Sequence, residues 1–240
     1  MSTRELWVTD LGTLRYDEAL ALQREVAARR ISGDLAQDVL LLVEHPPVIT
    51  YGRRVSAAQL TAAPALLAER GVEVRETERG GDITFHGPGQ LVGYPVVDLT
   101  RHRQDLHWYL RTLEDLQIRA LAALGIAAER NPGKTGVWTR GRKIASIGVH
   151  ARQWVTWHGF ALNVTTDLSF FDLVVPCGLD GVEMTSVARE LGVPASDALR
   201  ARTRAAIVTA TGAALGLVPC PVHVSALQRT MSAAQPAGAP

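Results

Sequence analysis

Cys177 sits in the run Val-Val-Pro-Cys-Gly-Leu, on a proline and glycine turn that follows an apolar stretch. That placement presents a thiol at a strand end, whereas a lone cysteine is ordinarily a small core hydrophobe. A thiol attacks as the thiolate, so its pKa, about 8.5 when free, must be brought toward neutrality by a neighbouring cation or base. The basic side chains offer a candidate. Of 25 Lys and Arg residues, Lys134 and Lys143 alone are lysine. Arginine keeps its proton and lysine can release it, and Lys143, in Gly-Arg-Lys-Ile-Ala-Ser-Ile-Gly, enters an apolar strand beside arginines that already supply surface charge. An ammonium within about 4 to 6 Å lowers a thiol pKa by roughly 1 to 3 units, enough to make thiolate the main form near neutral pH. On these residues alone, a leftover surface lysine and a buried structural cysteine remain open readings.

The run from Arg79 to Gln90, Arg-Gly-Gly-Asp-Ile-Thr-Phe-His-Gly-Pro-Gly-Gln, is the most unusual stretch of the chain. Its glycines let a ligand approach the backbone, and a turn-rich connection between strands would have the same composition. Neither GxGxxG nor GxxxxGK[ST] occurs in it, so a dinucleotide or P-loop site lacks its fingerprint. Seven histidines are scattered without an HExxH or CxxC companion, and no metal site is expected. No cofactor is implied by the residues. Two cysteines are too few for a disulfide framework. With 25 basic against 24 acidic residues, interspersed, the net charge is +1, which gives no footprint for nucleic acid or an anionic membrane. No apolar run approaches the roughly 20 residues of a membrane helix, and the N-terminal residues lack the apolar segment of a signal peptide. A soluble cytoplasmic protein with reduced thiols is the expectation.

The elements that must position these residues follow from periodicity. Apolar residues at Leu106, Tyr109, Leu110, Leu113, Leu116, Leu121 and Leu124 trace one helical face, with Gly125 as a stop. Further helices are expected over 16–28, 197–215 and, short, 63–70. Strands are expected over 39–43, 72–75, 91–99, 135–139, 144–150, 154–156 and 160–164. Adjacent strands without intervening helices argue for an α+β or mixed-sheet α/β fold and against a doubly wound parallel sheet. A single domain is expected over 1–224, followed from Ser225 to Pro240 by an Ala, Pro, Gly and Gln tail too poor in apolar surface to order itself.

Four of these motifs, taken together, resemble those of the lipoyl(octanoyl) transferases of lipoate biosynthesis: the Arg79 to Gln90 run, Lys143-Ile-Ala-Ser-Ile-Gly148, His158-Gly-Phe-Ala-Leu-Asn163 and Pro176-Cys-Gly-Leu179. Glu44-His-Pro-Pro with Tyr51-Gly-Arg53 is similar to the N-terminal signature of that family. The resemblance spans residues 11–222 and keeps the order of the motifs. It implies a catalytic domain of the biotin and lipoate protein ligase fold. It also implies an octanoyl group carried from octanoyl-acyl carrier protein to a lysine of lipoyl domains, in the E2 subunits of 2-oxoacid dehydrogenases and in glycine cleavage H protein. By the same resemblance Cys177 is the acyl-thioester nucleophile and Lys143 the residue that lowers its pKa and moves protons. Arg79, Gly80, Gly81, Asp82, Ile83, Thr84, Phe85 and His86, Ser146, Ile147 and Gly148, and Gly159, Phe160 and Ala161 are implied to line the acyl pocket. His150 and Cys220 receive no role. A basic patch for an acidic carrier is expected among Arg53, Arg54, Arg140 and Arg142. The rival reading is an ATP-dependent lipoate or biotin protein ligase, which shares the fold, but under which Pro176-Cys-Gly178 has no explanation.

Overall fold

The computed structural model describes residues 4–52, 62–174 and 182–233. Its centre is an eight-stranded mixed sheet built from β1 (Glu5–Thr13), β2 (Asp38–Glu44), β6 (Gln90–Val96), β7 (Glu129–Asn131), β8 (Lys134–Thr139), β9 (Arg142–Arg152), β10 (Val155–Asn163) and β11 (Val218–Pro221). The strand order is β11-β1-β2-β6-β10-β9-β8-β7. β1 runs parallel to both β11 and β2, and the other pairings are antiparallel. A second sheet of β3 (Val48–Gly52), β4 (Glu73–Thr77) and β5 (Thr84–His86) pairs in the order β4-β3-β5.

Strand alternation divides the apolar residues of the large sheet between two cores. Leu40 and Leu42 of β2, with Phe160 and Leu162 of β10, pack on α3 (Leu106–Ala123) and α5 (Asp197–Leu215). Val39, Leu41 and Val43, with Ala161, face the other way onto α1 (Tyr16–Ser32). β2 is therefore buried on both faces, which is why it reads as an unbroken apolar run. α3 begins where the Asp105 side chain accepts the Trp108 N–H at 3.0 Å, and α5 where Ser196 caps the Leu199 N–H. A third core lies under the small sheet, where Phe85 meets Phe171, Leu173 and Met184. α2 (Pro64–Glu69) and α4 (Val187–Leu191) are short connectors.

The mixed-sheet class agrees with the expectation, and two local expectations are corrected. The separate strands expected over 154–156 and 160–164 are one strand, β10, which runs without interruption from Val155 to Asn163. His158 stays in that strand with a left-handed φ of 58°. The tail expected from Ser225 instead opens as α6 (Val224–Ala233), whose Leu227 and Met231, one helical turn apart, complete the α1 core. Two side chains on one face suffice to dock a helix whose average composition is weakly apolar. Among the described residues no helix is long and apolar enough to cross a membrane.

Candidate active site

The loop that leads from β4 to β5 lies directly on β9. The Gly80 N–H donates to Val149 O at 2.8 Å, and a Cβ on Gly148 would fall 2.6 Å from Gly80 O. Glycine at 148 is therefore a requirement of this close approach. The loop is fixed at its start by Arg79, whose NH2 donates to Thr50 O at 2.7 Å and to Thr50 Oγ1 at 2.9 Å.

The loop, with β9 and β10, encloses a cavity of about 300 Å³. Arg79, Asp82, Ile83, Thr84 and His86 line it from the loop and β5, Lys143, Ser146, Ile147 and Gly148 from β9, and Gly159, Phe160 and Ala161 from β10. Gly80, Gly81 and Phe85 lie outside the lining. The two glycines are backbone contacts to β9, and Phe85 turns into the third core, stacked on Phe170 at 4.7 Å. Cys177 falls outside the described residues, as do Arg53 and Arg54. Tyr16 from α1, Val92 and Tyr94 from β6, Gly133 from the β7–β8 turn, Lys134 and Thr135 from the start of β8, and His158 from β10 also line the cavity. Apart from His158, which opens the His158 to Asn163 motif, they carry no motif signal of their own. The order β6-β10-β9 brings the strand residues together.

Lys143 is 3% exposed. Its backbone N–H donates to Glu183 O at 2.8 Å, and its carbonyl accepts from the Thr185 N–H at 2.9 Å. Its Nζ stands 5.9 Å from the centre of the Trp138 ring, and Lys134 Nζ stands 5.5 Å from the same ring. Both lysines of the chain thus line one cavity. Gly136, with φ of 128° in the bulge of β8 where its pairing with β7 shifts register, gives Lys143 its room: a Cβ there would sit 2.9 Å from Lys143 Cε and 2.6 Å from Ala145 O. The buried Glu114 of α3 holds the bulge by accepting the Gly136 N–H at 3.2 Å.

A neutral polar network forms one end of the cavity. Gln90 Nε2 donates to Phe85 O and Asn163 Oδ1, so Gln90 Oε1 is the acceptor and His86 Nδ1, 2.8 Å away, carries the hydrogen. His45 Nδ1 lies 2.7 Å from Leu14 O and must donate to it, leaving Nε2 to accept from the Tyr94 hydroxyl at 2.7 Å. Burial pushes His45 down to about 4. Burial, aided by repulsion from His45, pushes His86 down to about 3. Burial also lowers His158. The carboxylate of Glu78 lies beside this network, 3.8 Å from His158 Nε2. Burial opposes its ionisation, but His158, Arg24 and Trp157 outweigh that and hold it well below the usual carboxylate range, with Arg24 NH2 at 2.7 Å. His150 stays outside the lining, donating from Nδ1 to Glu78 O and packing on Trp157. Cys220 is half-buried on β11. Arg142 and Arg140, expected in a free basic patch, both face the buried Glu190, at 2.8 and 3.8 Å. Among the described residues no three His, Cys, Asp or Glu side chains converge as metal ligands.

Residues 15–208 match the lipoyl protein ligase A/B catalytic domain family. A protein named octanoyltransferase from Geobacter metallireducens is 50% identical over 189 residues, covering 79% of this chain and 85% of the relative. An octanoyltransferase from Rubrobacter xylanophilus is 52% identical over 183 residues, 75% of this chain and 81% of its own. In fold, the bi-partite lipoate protein ligase of Thermoplasma acidophilum superimposes with a TM-score of 0.73 at 18% identity, over 96% of this chain and 91% of that one. A lipoate-protein ligase A bound with ATP gives 0.74 at 16% identity, over 96% and 93%.

Proposed function

Since the chain belongs to the octanoyltransferases of the lipoyl protein ligase A/B catalytic domain family and is an acyltransferase, we propose that it carries octanoyl from octanoyl-acyl carrier protein, through a thioester on Cys177, to a lysine of a lipoyl domain. The acceptors are the lipoyl domains of 2-oxoacid dehydrogenase E2 subunits and glycine cleavage H protein, met in the cytoplasm, where the thiol stays reduced. One catalytic domain, with α6 part of it, performs the reaction. The observation that carries this reading is the burial of Lys143 in a cavity walled by Ile83, Val92, Ile147 and Phe160. Support also comes from the segment beside it: Glu183, hydrogen-bonded to Lys143, follows Cys177 by six residues in the sequence.

In the first half-reaction the Cys177 thiolate attacks the carbonyl carbon of the donor thioester. The new C–S bond forms, the bond to the carrier sulfur breaks, and the departing sulfur takes a proton from the Lys143 ammonium. In the second, neutral Lys143 accepts a proton from the incoming ammonium of the acceptor lysine, whose nitrogen then attacks the acyl-Cys177 carbonyl. The C–N bond forms, Cys177 leaves as thiolate beside the Lys143 ammonium, and the second nitrogen proton passes to solvent. Exchange between two thioesters is close to isoenergetic and the final amide is more stable, so ATP is not consumed. The apolar wall takes the acyl chain, and the walls exclude water from the thioester.

Intact-protein mass spectrometry after mixing with octanoyl-acyl carrier protein, without ATP, tests the reading. One hydroxylamine-sensitive octanoyl group is expected on the chain, absent in Cys177→Ala, kept in Cys220→Ala, and formed about 10² to 10⁴ times more slowly in Lys143→Met. An adduct that requires ATP and free acid would overturn it in favour of a ligase.

A further inference from the structure

β10 pairs with β9 from Val155 to Leu162, opposite Arg152 to Ala145, and ends at Asn163. At Lys143 the place of β10 is taken by residues 183–185, which run parallel to β9 and make both main-chain hydrogen bonds of Lys143. The last side chain of β10 holds this replacement segment. Asn163 Nδ2 donates to Thr185 O at 3.1 Å, while its Oδ1 accepts from Gln90 Nε2 at 2.9 Å. Gln90 is fixed in turn by Phe85 O and His86. On the far side the Thr185 hydroxyl donates to Glu190, which accepts three hydrogen bonds from Arg142. Asn163, Gln90 and Thr185 are all buried.

We propose that Asn163 is a positioning residue for the transfer reaction: it clamps the extended segment 183–185, bridged to β9 at Met184, and thereby fixes where Lys143 enters the cavity. This rests on the reading of Lys143 as the partner of Cys177. The amide is suited to the task because one group must donate to a carbonyl and accept from Gln90 at once, which neither a carboxylate nor a hydroxyl of this reach does in one geometry. Loss of the clamp leaves Thr185 O and Gln90 each one partner short and lets the replacement segment slip relative to Lys143, with the ammonium still present and the large sheet still paired from Val155 to Leu162.

The test is the rate of iodoacetamide alkylation at Cys177 between about pH 5 and 10. It is followed on the Cys177 peptide by mass spectrometry, in the full chain and in its Lys143→Met, Asn163→Ala and Asn163→Ser variants. The midpoint of the unaltered chain is expected below the free-thiol value of about 8.5. Lys143→Met moves it up toward that value. Asn163→Ala moves it the same way, lowering reactivity near neutral pH about tenfold, and speeds hydrogen exchange of the Thr185 amide more than that of Leu162. Asn163→Ser gives the same two signs and decides the matter where the alanine variant does not fold. A lost fold by itself would not move the midpoint of the molecules that remain folded. A midpoint that shifts in Lys143→Met and stays fixed in the folded Asn163 variants overturns the positioning role alone. A midpoint indifferent to Lys143→Met overturns the Cys177 and Lys143 pairing, and the clamp with it.

Discussion

The two ends of β2 carry two buried polar clusters of opposite electrostatic character. At its start Asp38 accepts from Arg30 Nε and NH2 at 3.1 and 2.9 Å, from His102 Nε2 at 2.8 Å and from the Asp98 backbone N–H at 3.0 Å. Four donors, three on Oδ1 and one on Oδ2, replace the water that burial removes, and the carboxylate stays charged. Just past the other end, His45 is bonded to Leu14 O and Tyr94, and the nearby His86 to Gln90. Here each partner is neutral and both rings stay uncharged. The first cluster ties α1 to the turn after β6 and borders a cavity that Asp38 lines with Arg4, Glu5, Gln37 and Arg101. The second forms one end of the cavity that Lys143 lines. A floor of neutral rings binds no counter-ion and repels no acyl chain, which suits the proton transfers proposed for Lys143. Buried polar groups therefore do not mark a functional site by themselves. What separates these two is the lining of the space beside them, charged and polar next to Asp38 and walled by Ile83, Val92, Ile147 and Phe160 next to the histidines.

The largest effect is expected at the ionic end. Asp38→Ala leaves the Arg30 charge buried with the weaker contact to Asp98, 3.6 Å away, in its place. The cost is about 3 to 5 kcal/mol, a fall in Tm on the order of 10 °C for a chain of this size. Acyl transfer per folded molecule should be unchanged, and calorimetry with an active-site titration separates the two quantities. A comparable loss of transfer in the folded fraction would mean that the two ends of β2 are coupled.

Acidification should distinguish the clusters by pH. Burial opposes the ionisation of Asp38, but hydrogen bonds from His102 and the Asp98 N–H, with the Arg30 charge, leave it below its ordinary value. Its stabilisation is therefore present above the unfolded pKa of about 3.9 and lost below it. The histidines act earlier. The unfolded chain protonates them near pH 6.5, whereas the folded chain holds His45 down to about 4 and His86 to about 3. Between those values the unfolded state binds more protons, so stability falls as pH falls, approaching about 2.7 kcal/mol per pH unit when both contribute. Urea midpoints at pH 7, 6 and 5 check this. A flat profile over that range would show that the site histidines are hydrated or already charged.

The legible and illegible parts of the chain divide along a similar line. The helix through Leu113, Leu116 and Ala120 and the apolar run of β2 could be read because each pattern is local and repeats at its own period. The Arg79 to His86 run announced itself through glycines whose need is steric, and Lys143 through its rarity among arginines. Tyr16, Val92 and Tyr94 gave no such sign. Each belongs to an ordinary buried face, and it is the strand order of the large sheet that turns them toward one cavity. α6 was hidden for a related reason, since its docking depends on Leu227 and Met231 finding the open edge of the α1 core. Gly136 was hidden because its value lies in where the Lys143 side chain runs, and sequence spacing does not encode that path.

The smallest effect sharpens the comparison from inside the neutral cluster. Tyr94→Phe keeps the ring that lines the cavity and removes the hydroxyl that His45 Nε2 accepts. One buried nitrogen loses its donor, at a cost of about 1 to 3 kcal/mol, less than the loss expected for Asp38→Ala because no charge is stranded. His45 cannot recover the loss by changing tautomer, because Leu14 O, 2.7 Å from Nδ1, has to be met by a hydrogen. The rate of octanoyl loading should change by no more than a few fold, since in this arrangement the Tyr94 hydrogen is committed to His45 and is unavailable to the thioester. A loading rate reduced by about a hundredfold, measured by intact mass over time, would instead mean that the tyrosine turns its hydrogen toward the acyl group. The floor of the cavity would then belong to the proton chemistry proposed for Lys143.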